Sequence, residues 1–198
     1  MTAASRQAEI KRQTRETDIH LNLNLDGRGE ATSKSGVGFM DHMLTLLAVH
    51  GFFDLAISAS GDTEVDDHHT VEDLGIALGQ ALKQALAATA GIRRYGAAAV
   101  PMDETLVRVT LDISNRPYLH YGVELPDAKV GNFDTALAKE FLRALAHHGG
   151  ITLHIELAHG DNSHHIIEAI FKALGRALDQ ATTIDQRLAG PLSSKGSL

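Results

Sequence analysis

Residues 18–25, DIHLNLNL, alternate strictly between polar and apolar. Ile19, Leu21, Leu23 and Leu25 fall on one side of an extended chain, the period-2 pattern of a half-buried strand. The preceding AEIKRQT is a candidate partner strand, and DGRGE reads as a turn. From Val37 to Val49, in GVGFMDHMLTLLAVHG, the apolar positions follow a helical period, with Gly51 as the stop. FDLAISAS is a short strand. The polar loop GDTEVDD then leads into a long helix from about His68 to Thr89, which Asp66 or Asp67 can cap and Gly91 ends.

The same order returns in the second half. After GAAAVPMDE, both TLVRVTLDIS and RPYLHYGVEL read as strands. FDTALAKEFLRALAHHGG is a helix with a glycine stop, ITLHIEL a strand, and HHIIEAIFKALGRALDQA a helix after the short loop GDNS. Each half reads β-β-α-β-α. HHTVEDLGIALGQAL matches HHIIEAIFKALGRAL at an offset of 96 residues, and LAVHGFFDLAIS matches LAHHGGITLHIE at an offset of 98. Carried upstream, the second offset pairs His42 with Glu140. Two copies are too few for a solenoid. The pattern therefore predicts an α+β protein, a two-layer α/β pseudo-dimer of duplicated halves. Residues 1–92 form the first half-repeat with an N-terminal segment, and residues 93–198 the second with a C-terminal tail.

Composition narrows the function. The 198 residues carry a net charge of −7, which argues against a general nucleic-acid-binding role. No apolar run approaches the length of a membrane span, and the first residues lack the apolar middle of a signal peptide. With no cysteine there is neither a disulfide framework nor a thiolate metal site, and a cytoplasmic location is expected. The unusual count is 12 histidines in a chain without tryptophan.

Two of the histidine pairs stand in the repeated phrase HH-x-x-E, at His68, His69 and Glu72 and again at His164, His165 and Glu168. On a helix the glutamate can stand near either histidine. The two histidines themselves differ by about 100° around the axis, so they serve different ions or different subunits. Imidazole and carboxylate without thiolate suit Mn, Fe, Co, Ni or Zn, and a mixed N/O set leans towards manganese. The plainer account makes such pairs polar residues at helix starts, and makes His42 a buried histidine and Glu140 a solvated charge. Duplication at matched places favours metal binding for all eight positions. His147 and His148 lie at a helix end, where a protonated imidazole is favoured. They are read as structural, as is His50, their counterpart. His154 and His159 could support a ligand, and His20 and His120 read as ordinary strand positions.

GFMDHMLTLLAVHG, DDHHTVEDLGIALGQAL, GITLH with NSHHIIEAIFKALGRAL, the early KRQTRETDI and the late SSKG together resemble the imidazoleglycerol-phosphate dehydratase family, in its monofunctional form. The similarity runs from about Ala8 to Gly196. The resemblance implies a hydro-lyase of L-histidine biosynthesis that converts D-erythro-imidazoleglycerol phosphate to imidazole acetol phosphate. It further implies Mn2+, two ions per active site, and a homo-oligomer, a 24-mer with sites between subunits. No membrane or nucleic-acid partner is implied. The family's metal ligands fall on His42, His68, His69, Glu72, Glu140, His164, His165 and Glu168. Members carry histidine or glutamate at the position of Glu140.

In the same resemblance Glu16 is the acid/base or substrate-positioning residue, and Glu72 and Glu168 are further catalytic carboxylates, poorer bases while they hold metal. Arg94, Arg116, Lys172, Ser194 and Lys195 bind the phosphate, so that the tail becomes a strap over it. Arg93 is read as solvated. The mechanism expected from these residues makes the imidazole ring the electron sink for a proton lost from the adjoining carbon, with metal on a ring nitrogen. The alternatives are a metal hydrolase on the same scaffold and a histidine-rich storage protein. A storage protein favours loose histidine tracts, unlike this duplicated frame.

Overall fold

The computed structural model describes residues 6–87, 91–188 and 190–194. In chain order the first half comprises β1 (Gln7–Gln13), β2 (Thr17–Asn24), β3 (Ala31–Lys34), α1 (Gly38–Gly51), β4 (Asp54–Gly61) and α2 (His68–Leu86). Ile19, Leu21 and Leu23 of β2 are buried, while Asp18, His20 and Asn22 face out, as their alternation requires. β1 and β4 flank β2 in antiparallel register, and β3 runs parallel to β4 at the edge. The strand order is β1-β2-β4-β3.

The second half repeats the plan with β5 (Tyr95–Met102), β6 (Thr105–Ile113), β7 (Tyr118–Gly122), a small hairpin of β8 (Lys129–Val130) and β9 (Phe133–Asp134), α3 (Ala136–Gly149), β10 (Ile151–His159) and α4 (Ser163–Thr182). Its sheet order, β5-β6-β10-β7, is that of the first half. Each half is a sheet with two helices on one face, so the duplicated two-layer α/β architecture is present.

Each four-stranded sheet holds one strand more than the alternation predicts, and the second half adds the β8–β9 hairpin. β3 is ATSK, four residues at a sheet edge with no apolar rhythm. β5 is YGAAAVPM, an edge strand of small residues containing Pro101, which only an edge tolerates. Gly96 in β5 lies so close to α4 that a Cβ there would meet the carbonyl oxygen of Ala177. α1 runs through Gly51, and Phe52 takes the left-handed turn at φ 56°.

The halves meet helix on helix, α1 against α4 and α2 against α3, with the sheets outermost. One continuous apolar core runs through both halves, and Phe141 and Phe171 touch within it at 5.4 Å between ring centroids. Glycines set the closeness of the crossings. A Cβ on Gly175 of α4 would lie 2.4 Å from the carbonyl oxygen of Leu47 and 3.0 Å from the amide of Gly51. At the matching crossing, a Cβ on Gly79 of α2 would lie 2.8 Å from both the Leu145 carbonyl and the Gly149 amide. The two repeat offsets align these glycines too: 79 with 175 at 96 residues and 51 with 149 at 98. Among the described residues no helix is long and apolar enough to cross a membrane.

Candidate active site

Both histidine pairs open a helix. In α4 the Asn162 carboxamide oxygen accepts from the amides of His164 (2.9 Å) and His165 (3.3 Å). In α2 the amide of His68 donates to Asp66 at 2.8 Å, whereas Asp67 caps nothing with its side chain. The neighbouring rings stand nearly perpendicular, 84° in each pair, with centroids 6.2 Å apart for His68–His69 and 6.3 Å for His164–His165. The helical rotation per residue thus sends the two members of a pair into different surroundings.

His164 joins residues from both halves. Its Nε2 is 3.3 Å from Glu168 Oε2, and His42 Nε2, from α1, is 3.8 Å from the same oxygen. The three ligand atoms of His42, His164 and Glu168 all lie within 4.8 Å of one another. Nitrogen and oxygen ligands sit about 2.0–2.2 Å from a divalent ion such as zinc, so two on one ion can be up to about 4.4 Å apart. The trio stands close to that spacing, and its chemistry fits a borderline or hard divalent cation. Burial opposes ionisation of Glu168, but the hydrogen bond from Lys172 Nζ at 2.6 Å, with Lys172, His42 and His164 around it, holds the carboxyl below its usual range. Phe39 meets the edge of His164 at 5.3 Å, and both line a cleft of about 710 Å³ with His42 and Phe133.

The pseudosymmetric set is looser. His68 Nε2 is 3.7 Å from Glu72 Oε2. Glu140 reaches the same place from α3, and together with His68 it lines a cavity of about 520 Å³. Its carboxylate is ion-paired with Arg143, one helical turn on. The trio therefore takes two residues from one half and its third from the other, and Glu140 of the second half faces the cavity of His68 of the first.

His69 and His165 turn away from these clusters. Each donates Nδ1–H to a carboxylate, His69 to Asp62 at 3.0 Å and His165 to Glu104 at 2.8 Å. Those hydrogen bonds raise both imidazole pKa values, and His165 in turn draws Glu104 down to about 2. The His69 Nε2 lies 3.9 Å from Glu16 Oε1.

Glu16 sits in the turn between β1 and β2. The Thr14 hydroxyl accepts from the amides of Glu16 (3.1 Å) and Thr17 (3.0 Å). Thr17 then donates to the buried Asp73, which also takes Arg12 Nη2 at 2.8 Å. Asp73 thereby ties this turn to α2, one residue past Glu72. Replacing Asp73 by alanine leaves a largely buried Arg12 without its counterion. The expected cost is about 2 kcal/mol, below the 3–5 kcal/mol of a fully buried pair, read as a lowered urea midpoint. An unchanged midpoint would show that the network holds nothing.

The candidate phosphate-binding cations do not gather within one chain. Lys172 stands beside Glu168 and within 3.5 Å of Met102 Sδ, at the far end of β5. Arg94 lies at the near end, 7% exposed, with Nε and Nη2 on Asp112 at 2.6 and 3.0 Å and Nη1 on the Leu192 carbonyl at 2.6 Å. Arg116 is exposed and 3.5 Å from Asp112. An eight-residue strand separates the two groups by roughly 25 Å. Ser194 lies two residues past Leu192 in the tail, and Lys195 lies outside the described residues.

Other histidines are placed as follows. Burial lowers the pKa of His148, helped by His147, and lowers that of His50, helped by Lys172 and Arg176. Both shifts disfavour the protonated form that a helix end by itself would favour. His154 faces outward beside Tyr118 and His120, away from both clusters. Asp62, Asp73 and Glu104 carry weight that their sequence context hides.

The comparisons with known proteins agree along the whole chain. Residues 35–178 match the family model of imidazoleglycerol-phosphate dehydratase. The imidazoleglycerol-phosphate dehydratase of Pelobacter propionicus is 61% identical over 194 residues, covering 98% of this chain and 100% of that protein. Its counterpart in Acetivibrio thermocellus is 58% identical, covering 98% and 99%. The crystal structure of the Staphylococcus aureus enzyme superposes with a TM-score of 0.81 at 43% identity, over 90% of this chain and 99% of that one. The Pyrococcus furiosus structure gives 0.82 at 41% identity, over 96% and 100%. With its duplicated halves and both histidine pairs in place, this chain belongs to the imidazoleglycerol-phosphate dehydratase family of hydro-lyases.

Proposed function

We propose that this chain dehydrates D-erythro-imidazoleglycerol phosphate to imidazole acetol phosphate, as a cytoplasmic, divalent-metal-dependent step of L-histidine biosynthesis. The observation that carries the metal dependence is the convergence of His42, His164 and Glu168 from two halves onto one point. Manganese, two ions per active site, is our reading of the donor set. The clusters around His164 and His68 would each contribute to one ion. His69 and His165, aimed elsewhere, would complete the ligand shells of a neighbouring copy. Active sites formed between copies, in a 24-mer as in the family, would also bring Lys172 of one chain to Arg94, Arg116, Ser194 and Lys195 of another.

The product fixes which bonds break. Its carbonyl lies on the middle carbon of the side chain. The hydroxyl therefore leaves from the carbon attached to the ring, and the proton from the middle carbon, the reverse of the assignment expected from sequence. The electron pair that expels hydroxide comes from the ring, and hydroxide takes up a proton to leave as water. The middle carbon gives its proton to a base, and the resulting enol becomes the ketone. Bound at these ligands, Mn2+ would supply Lewis acidity and hold the ring in one orientation. Glu16, beside the His69 ring, would exchange the carbon proton. In His69 and His165 the Nδ1 bonds to Asp62 and Glu104 leave Nε2 as the lone-pair side, and the carboxylates Glu72 and Glu168 would offset part of the charge of a bound cation.

Metal-stripped protein is expected to be inactive on D-erythro-imidazoleglycerol phosphate and to recover with added Mn2+, binding about two ions per chain. Full activity after stripping would remove the metal from the reading. Inactivity with every divalent cation, from folded and assembled protein, would remove the reaction.

A further inference from the structure

The two histidines that turn away from their neighbours are oriented by carboxylates from different places. In the first half the Nδ1 partner is Asp62, just past the end of β4. In the second half it is Glu104, in the turn between β5 and β6. That turn is the counterpart of the turn bearing Glu16. Both glutamates precede a buried threonine, Thr17 or Thr105. Each threonine packs against a glycine: a Cβ on Gly61 would be 3.4 Å from Thr17 Cγ2, and one on Gly160 would be 2.5 Å from Thr105 Oγ1. Asp161, which follows Gly160 as Asp62 follows Gly61, is exposed.

Glu104 is itself held. Its Oε1 accepts from the Thr105 hydroxyl at 2.8 Å and from the Asn162 amide at 3.3 Å, and its Oε2 takes His165 Nδ1–H. Asn162 also caps α4 under His164 and His165. Turn, cap and imidazole thus form one unit. A neutral imidazole carries a single N–H. With that proton on Nδ1, facing the carboxylate, Nε2 must be the lone-pair side, and the carboxylate makes it more basic.

We infer that Glu104 is the positioning residue that presents His165 Nε2 to a divalent cation, and that the transfer of this duty to Asp62 in the first half is what leaves Glu16 free to meet substrate. This rests on the reading of His165 as a metal ligand. The duplicated glutamates have therefore diverged: one orients a ligand and the other faces the reacting carbon.

The test is Mn2+ affinity of the assembled protein, measured by chelator competition, for wild type, Glu104→Gln, Glu104→Asp and Glu16→Gln. Glutamine keeps the size of Glu104 and can still accept from Thr105 and Asn162, so the urea midpoint of the metal-free protein reports whether folding is intact. Glu104→Gln is expected to weaken Mn2+ binding by roughly 10–100-fold, with partial recovery in Glu104→Asp. Glu16→Gln is expected to bind Mn2+ within about twofold of wild type while losing turnover. Wild-type affinity in Glu104→Gln overturns this assignment alone. Equal weakening by Glu16→Gln overturns the division of labour. A wild type that binds no divalent cation overturns the metal reading and the assignment with it.

Discussion

Glu16→Gln is expected to lower turnover of D-erythro-imidazoleglycerol phosphate by roughly 10²–10⁴-fold, the range typical of losing a positioned acid/base group. The substitution is nearly isosteric, but an amide cannot take up the proton from carbon. Glu16 is exposed, so little folding energy depends on its charge. Its turn is fixed from behind by Thr14, Thr17 and Asp73 and does not need the carboxylate to hold its shape. The loss should therefore fall on kcat, with KM and the oligomeric state close to wild type. Steady-state kinetics at saturating Mn2+ decide it. A kcat within tenfold of wild type would assign the proton transfer to another group. A large rise in KM alone would make Glu16 a substrate-binding residue.

Gly175→Ala is expected to destabilise the fold by about 3 kcal/mol, the upper part of the range for forcing extra volume into a packed core. The added methyl would meet Leu47 O at 2.4 Å and Gly51 N at 3.0 Å. Both are backbone atoms of α1, so no flexible side chain can swing aside. The helices themselves must part. α1 carries His42 and α4 carries His164 and Glu168, so a wider crossing also spreads the trio. At matched protein concentration the thermal midpoint should fall by roughly 6–12 °C. Gly38→Ala, at a position with open space around it, should shift the midpoint little. Similar midpoints for the two variants would mean that the crossing relaxes freely.

Much of this was legible before any coordinates. The inner strands and all four helices follow from apolar rhythm, because their buried faces are made of large side chains. β3 and β5 escaped for the opposite reason: short, polar or small-residue edge strands bury too little to leave a pattern. The HH-x-x-E residues were legible because duplication wrote them twice, and the second offset, of 98 residues, brought His42 and Glu140 into the candidate set. Contacts made by turns with the helix starts were not legible. Asp62 and Glu104 sit in loops where carboxylates are common, and only their approach to Nδ1 distinguishes them. The burial of Arg94 against Asp112 was hidden too, since that partner lies on another strand.

The exchange of third residues between the halves carries an evolutionary constraint. His42 of one half stands with His164 and Glu168 of the other, and Glu140 of the second half shares a cavity with His68 of the first. A half-length ancestor could not have closed such a cluster within itself. It would have needed a twin, and the twin would have shown two identical pockets. Any change at the shared position would then have altered both pockets at once. Joining the copies in one chain lifted that restriction, so that one pocket could keep imidazole while its sister took a carboxylate.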